Sequence, residues 1–122
     1  MKLAIIAKKI LTGSMIVASF ALSGFASAPD APKKISISVK RFGYEPAEIT
    51  IKKNEPVVLE LTTQDVTHGL KFKDLNLNTK IEKGKTAVLA FTPTKAGDFV
   101  GHCSVFCGSG HGSMTLTLHV AE

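Results

Sequence analysis

An all-β sandwich is the fold this sequence predicts, and three observations carry it. From Lys34 onward apolar and polar residues alternate in short runs, turn residues separate those runs, and the periodicity of helices is nearly absent. Alternation with a period of two gives each strand one dry and one wet face. Such strands, closed over a shared core, predict a Greek-key β-sandwich of seven or eight strands.

The strands follow in chain order. Ile35, Ile37 and Val39 alternate with Ser36, Ser38 and Lys40; Ile49 and Ile51 come after Pro46; Val57, Leu59 and Leu61 come after the turn Lys53-Asn54-Glu55-Pro56. A short piece spans His68 to Phe72, and Asp74 to Lys80 reads as a looser stretch. Ala87 to Phe91 follows the Lys83-Gly84-Lys85 turn, and Asp98 to His102 follows Thr94-Lys95-Ala96-Gly97. In the last strand Met114, Leu116, Leu118 and Val120 face inward while Thr115, Thr117 and His119 face outward. Phe42, Phe72, Phe91, Phe99 and Phe106 are expected to supply the aromatic part of the core.

The 122 residues have room for one such domain. Residues 1–26 are expected to be a secretory signal: Lys2, Lys8 and Lys9 precede an uncharged run from Ile10 to Phe25, with Gly24 and Ala26 as the small residues of the cleavage site. A retained membrane anchor is the alternative, although the run is shorter than a comfortable span of about 20 residues. Residues 27–33, with Pro29 and Pro32, read as a flexible arm, and 34–122 as the folded domain. Removal of the leader takes three basic residues and no acidic one, leaving twelve against ten, a net +2. The remaining lysines are scattered among the strands and alternate with acids, which a solvated surface explains better than a nucleic-acid footprint, and no nucleic-acid partner is implied.

One segment carries chemistry. His102-Cys103-Ser104-Val105-Phe106-Cys107-Gly108-Ser109-Gly110-His111-Gly112-Ser113-Met114 packs two thiols, imidazole and a thioether into a glycine-rich loop. Sulfur ligands suit Cu(I) and imidazole also suits Cu(II), so the mixed set points to copper held in both oxidation states. Two cysteines four positions apart can aim both sulfurs at one centre, and a thiolate has the lone pairs to bridge two cations. A disulfide is the ordinary expectation for a cysteine pair in an exported chain, but a bridge closing so short a loop removes little entropy from the unfolded state. Structural zinc is the other alternative; the spacing is unlike the usual tight hooks, and a methionine in register is of no use to zinc. Gly108, Gly110 and Gly112 are read as permitting the sharp backbone of a ligand loop.

The pattern Cys103-x3-Cys107-x3-His111-x2-Met114, with Asp65-Val66-Thr67-His68-Gly69 upstream, resembles the CuA domain of cytochrome c oxidase subunit II and of nitrous oxide reductase. The resemblance implies a cupredoxin fold holding two copper ions bridged by Cys103 and Cys107. It also implies His68 and Met114 on one copper, and His111 with the backbone carbonyl of Val105 on the other. Val105 stands where the oxidase loop has Glu, and the whole chain lacks Trp, so the aromatic entry route of the oxidase is not carried over. His102 and His119 are expected to face away from the site.

No Ser-His-Asp arrangement, phosphate-cradling glycine motif or dedicated carboxylate pair stands out, and the chain is read as no enzyme in its own right. The expected function is one-electron transfer by a periplasmic monomer, with no membrane span after processing, between redox partner proteins. Delivery of copper to an acceptor protein is the alternative.

Overall fold

The computed structural model describes residues 31–122, and the leader and cleavage-site expectations lie outside them. Nine strands form: β1 (Lys33–Lys40), β2 (Gly43–Glu45), β3 (Glu48–Lys52), β4 (Val57–Thr63), β5 (His68–Phe72), β6 (Leu77–Ile81), β7 (Ala87–Phe91), β8 (Gly97–His102) and β9 (Thr115–Ala121). They build a four-stranded sheet in the order β2-β1-β4-β7 and a five-stranded sheet in the order β3-β9-β8-β5-β6. β1 pairs parallel with β4 and β3 parallel with β9, while the other neighbours are antiparallel. This is the sandwich expected from the alternation. The additional strands are the three residues of β2 and β6, which emerges from the stretch that reads as loose.

Ile37 and Val39 of β1, Leu59 and Leu61 of β4, Leu70 of β5 and Leu116 and Leu118 of β9 are at most 1% exposed and meet between the sheets. Burying an aliphatic side chain of this size stabilises the fold by roughly 1.5–3 kcal/mol. The aromatic expectation needs correction. Phe72 is fully buried and Phe91 and Phe99 pack partly against the core, but Phe42 is 39% and Phe106 79% exposed. Tyr44, with a polar tip that finds a partner, is buried in their place.

Strand order brings the chemistry to one end. β5 begins at His68 and lies beside β8, which ends at His102; Lys71 and His102 are register partners. The chain then loops from Cys103 to Met114 and returns as β9, also a neighbour of β8. The Cys103 N–H donates to the Met114 carbonyl at 3.2 Å and closes the base of this loop.

Candidate metal centre

Cys103 and Cys107 are both buried and both free, with their sulfurs 3.7 Å apart. Cys103 Sγ lies 3.1 Å from the Val105 carbonyl oxygen, whereas Cys107 Sγ lies 3.8 Å from Met114 Sδ and 3.8 Å from His111 Nδ1. His68 offers a ring nitrogen within 4.8 Å of both sulfurs. The structure therefore gathers all six positions singled out in the sequence around the two sulfurs.

His68 provides the test of whether a metal fits. Its side chain is fully buried; Nε2 is 2.7 Å from Asp65 Oδ1, and Nδ1 is buried without a hydrogen-bond partner. An orphaned buried nitrogen costs roughly 1–3 kcal/mol. A carboxylate on Nε2 fixes the ring with its proton there and leaves the Nδ1 lone pair free, which is the arrangement of a metal-bound histidine. Soft sulfurs and imidazole nitrogens complete a donor set suited to copper.

The supporting residues come from far along the chain. Desolvation opposes ionisation of Asp65, but the Arg41 N–H, the His68 ring and the Val66 N–H hold its carboxyl well below the usual carboxylate range. The Arg41 N–H bond is 2.8 Å, and Arg41 Nε donates to the Cys107 carbonyl at 2.9 Å. The Tyr44 hydroxyl donates to the Gly69 carbonyl at 2.5 Å, tying down the residue after His68. Burial, then the neighbouring Cys103, then Cys107, keep that phenol far above its ordinary range. Burial is also the first cause that pushes the Cys107 thiol up to about 11; the neighbouring Cys103 adds to it and the Arg41 guanidinium opposes it.

The glycines divide by role. Only Gly108, at φ +140°, has the positive φ expected of the loop; Gly110 has φ −91°. Gly110 is needed for space, because a Cβ there would meet the Phe42 ring at 2.5 Å, while Gly112 faces open space. A Cβ on Gly69 would run into Ser104 Oγ and come within 3.2 Å of the Ser104 main-chain nitrogen, so glycine lets strand β5 pass close to the loop without displacing that serine.

His102 is exposed and stands apart from the cluster, as alternation along β8 requires. His119 is on the outer face of β9, held by Asp98 and Glu48. Asp65 enters the sequence pattern only as the head of the string that holds His68, with no ligand role, although its place three residues before His68 is the readable signal of an orienting carboxylate. Arg41 and Tyr44 carry no such signal: they reach the site from 66 and 25 residues away in sequence.

A two-sheet sandwich with thiols, imidazoles and a thioether gathered at one end defines a β-sandwich protein whose donor set is suited to copper. The chain belongs to the cupredoxin-like domain family, whose sequence profile matches residues 13–116. The likeness to CuA-type domains holds as well: over 81 residues, 66% of this chain, it is 31% identical to cytochrome c oxidase subunit 2 of Thermus thermophilus. The aligned part spans 60% of that relative, and 48% of the corresponding protein from a named strain of the same organism. The periplasmic domain of subunit II of cytochrome oxidase from Bradyrhizobium japonicum superposes with a TM-score of 0.69 at 20% identity, covering 77% of this chain and 87% of that one. The metal-binding domain of the Cu(I)-exporting ATPase CopA of Streptococcus pneumoniae superposes at 0.61 and 23% identity, covering 79% and 92%. At those identities the two structures share the fold.

Proposed function

We propose that this chain holds two copper ions in a CuA-like centre and passes single electrons between redox partner proteins of the bacterial periplasm. The observation that carries the reading is the pair of unbridged sulfurs 3.7 Å apart, ringed by two imidazoles, a thioether and a carbonyl. Bound there, the copper pair would supply a one-electron couple with its charge shared through the thiolates. Cys103 and Cys107 would bridge, His68 through Nδ1 and Met114 would serve one copper, and His111 with the Val105 carbonyl the other.

The chain's own part is to hold still. His68 starts β5 and Met114 is the residue before β9, so both are anchored in paired backbone, and the Asp65 carboxylate fixes the His68 ring. Ligands that cannot relax far on gain or loss of an electron keep the rearrangement small, which favours rapid exchange. On this reading the chain acts as a carrier of electrons and not as an enzyme, and it works as an exported monomer. Among the described residues no helix is long and apolar enough to cross a membrane.

Electron paramagnetic resonance of the copper-reconstituted chain tests the reading. Hyperfine structure from two equivalent nuclei is expected; the signal of one isolated copper, or a colourless protein that keeps one zinc, would overturn it. Metal retained on mixing with an apo copper acceptor is the result expected of an electron carrier. Prompt loss would assign copper delivery instead.

A further inference from the structure

We propose that the turn formed by Arg41 and Phe42, between β1 and β2, is a clamp that sets how long the ligand loop retains its metal. The inference rests on the copper reading above and extends it to residues outside the ligand set. Main-chain bonds within the loop are local: His111 to Gly108, Ser113 to Gly110 and Met114 to His111, besides the Cys103–Met114 bond at its base. The Arg41–Phe42 turn reaches it from outside. Arg41 Nε donates to the carbonyl of Cys107 at 2.9 Å. The ring of Phe42 lies over the main chain at Gly108 and Gly110, where added Cβ atoms would come within 2.9 and 2.5 Å of it.

The same turn grips the other ligand segment. The Arg41 N–H donates to Asp65 Oδ2 at 2.8 Å, and Oδ1 of that carboxylate is 2.7 Å from His68 Nε2. Two adjacent residues thus connect the Cys107–His111 loop to the start of β5, and opening the loop requires Cys107 to lose the guanidinium donor and the glycines to leave the ring. The clamp explains why a ring as apolar as Phe42 stays 39% exposed: its other face is spent on two glycine peptides. Arg41 and Phe42 act here as positioning residues.

The test uses the full chain with Arg41→Ala, Arg41→Gln and Phe42→Ala. Glutamine places an N–H donor at the same distance along the side chain as Arg Nε while removing the charge, so it separates the hydrogen bond from electrostatics. In the metal-free protein, amide hydrogen exchange in residues 104–113 is expected to quicken about five-fold in Arg41→Ala and Phe42→Ala, the worth of one net hydrogen bond or a similar contact, with β9 unchanged. Arg41→Gln is expected to match the parent chain. In the copper-loaded protein, release to a Cu(I)-selective chelator should quicken by the same factor in the two alanine variants.

Exchange that rises equally in β9 and the loop, an unchanged loop, Arg41→Gln behaving like Arg41→Ala, or a faster loop that releases copper at the parent rate would each overturn the clamp. A parent chain that takes up no copper would instead sink the function proposed above. The exchange measurement on metal-free protein would then decide the clamp alone.

Discussion

His68 and His119 are each paired with an aspartate at nearly the same distance, 2.7 Å to Asp65 and 2.6 Å to Asp98, yet the two ends of the molecule use the pair differently. His119 stands on the outer face of β9 with both ring nitrogens engaged, the second 3.4 Å from Glu48. His68 is wholly buried and has only one nitrogen engaged. A histidine closed off by carboxylates on both sides joins strands; one closed off on a single side in a dry site keeps a lone pair for something else. The difference teaches that the unsatisfied atom, more than the residue type, marks a ligand.

The largest test of that contrast removes what His68 faces. Cys103→Ser or Cys107→Ser should abolish the paired copper signal, read by electron paramagnetic resonance and by the loss of thiolate-to-copper absorption. Asp65→Ala should lower copper affinity by about 10–100-fold in a chelator competition, the usual loss when the partner of a metal-bound histidine is removed. Asp98→Ala, which strips the matching partner from His119, should leave copper affinity unchanged. Equal effects of the two aspartates would erase the contrast.

Met114→Leu comes next. Met114 is fully buried and leucine is close in volume, so the stability cost should stay below about 1.5 kcal/mol while voltammetry shows a shifted potential. Damage to the copper signal as severe as that of the cysteine variants would contradict a weak thioether ligand.

The smallest effect belongs to His119 and is confined to pH. The hydrogen bond to Asp98 raises its pKa above 6.5, against opposing desolvation and with help from Glu48. A raised folded pKa means that the imidazolium contributes stability in full below its unfolded value of 6.5, and that this contribution fades as pH rises through the folded value. His119→Gln should therefore be less stable than the parent in denaturant titrations at mildly acidic pH, with the gap closing in alkali. A gap that widens with pH would reverse the assignment.

Legibility in the sequence followed physical regularity. β1, β3, β4 and β9 each bury alternate residues, and their apolar runs show it directly. β2 is three residues long, too short to display a period, and in β6 the inward-leaning series is Leu77, Thr79 and Ile81, whose central hydroxyl blurs the pattern. The cluster the structure gathers was readable because its residues lie within twelve positions apart from His68, whose surrounding Asp65-to-Gly69 string marks it. Phe106 misled because its type suggests a core residue. The loop spends its inward positions on Cys103 and Cys107, and the phenylalanine between them turns outward, its ring centroid 5.6 Å from that of His111. Arg41 and Tyr44 stayed hidden since only the closed sandwich brings them to the centre.

The proposed ligands divide between the first residue of β5 and a loop that starts 35 positions later. Any ion held by both therefore staples two distant stretches of chain, and its binding energy is added to the resistance of the whole sandwich against melting. On the copper reading, loading and thermal endurance are linked: metal held by both segments raises the melting temperature, and the metal-free chain melts lower.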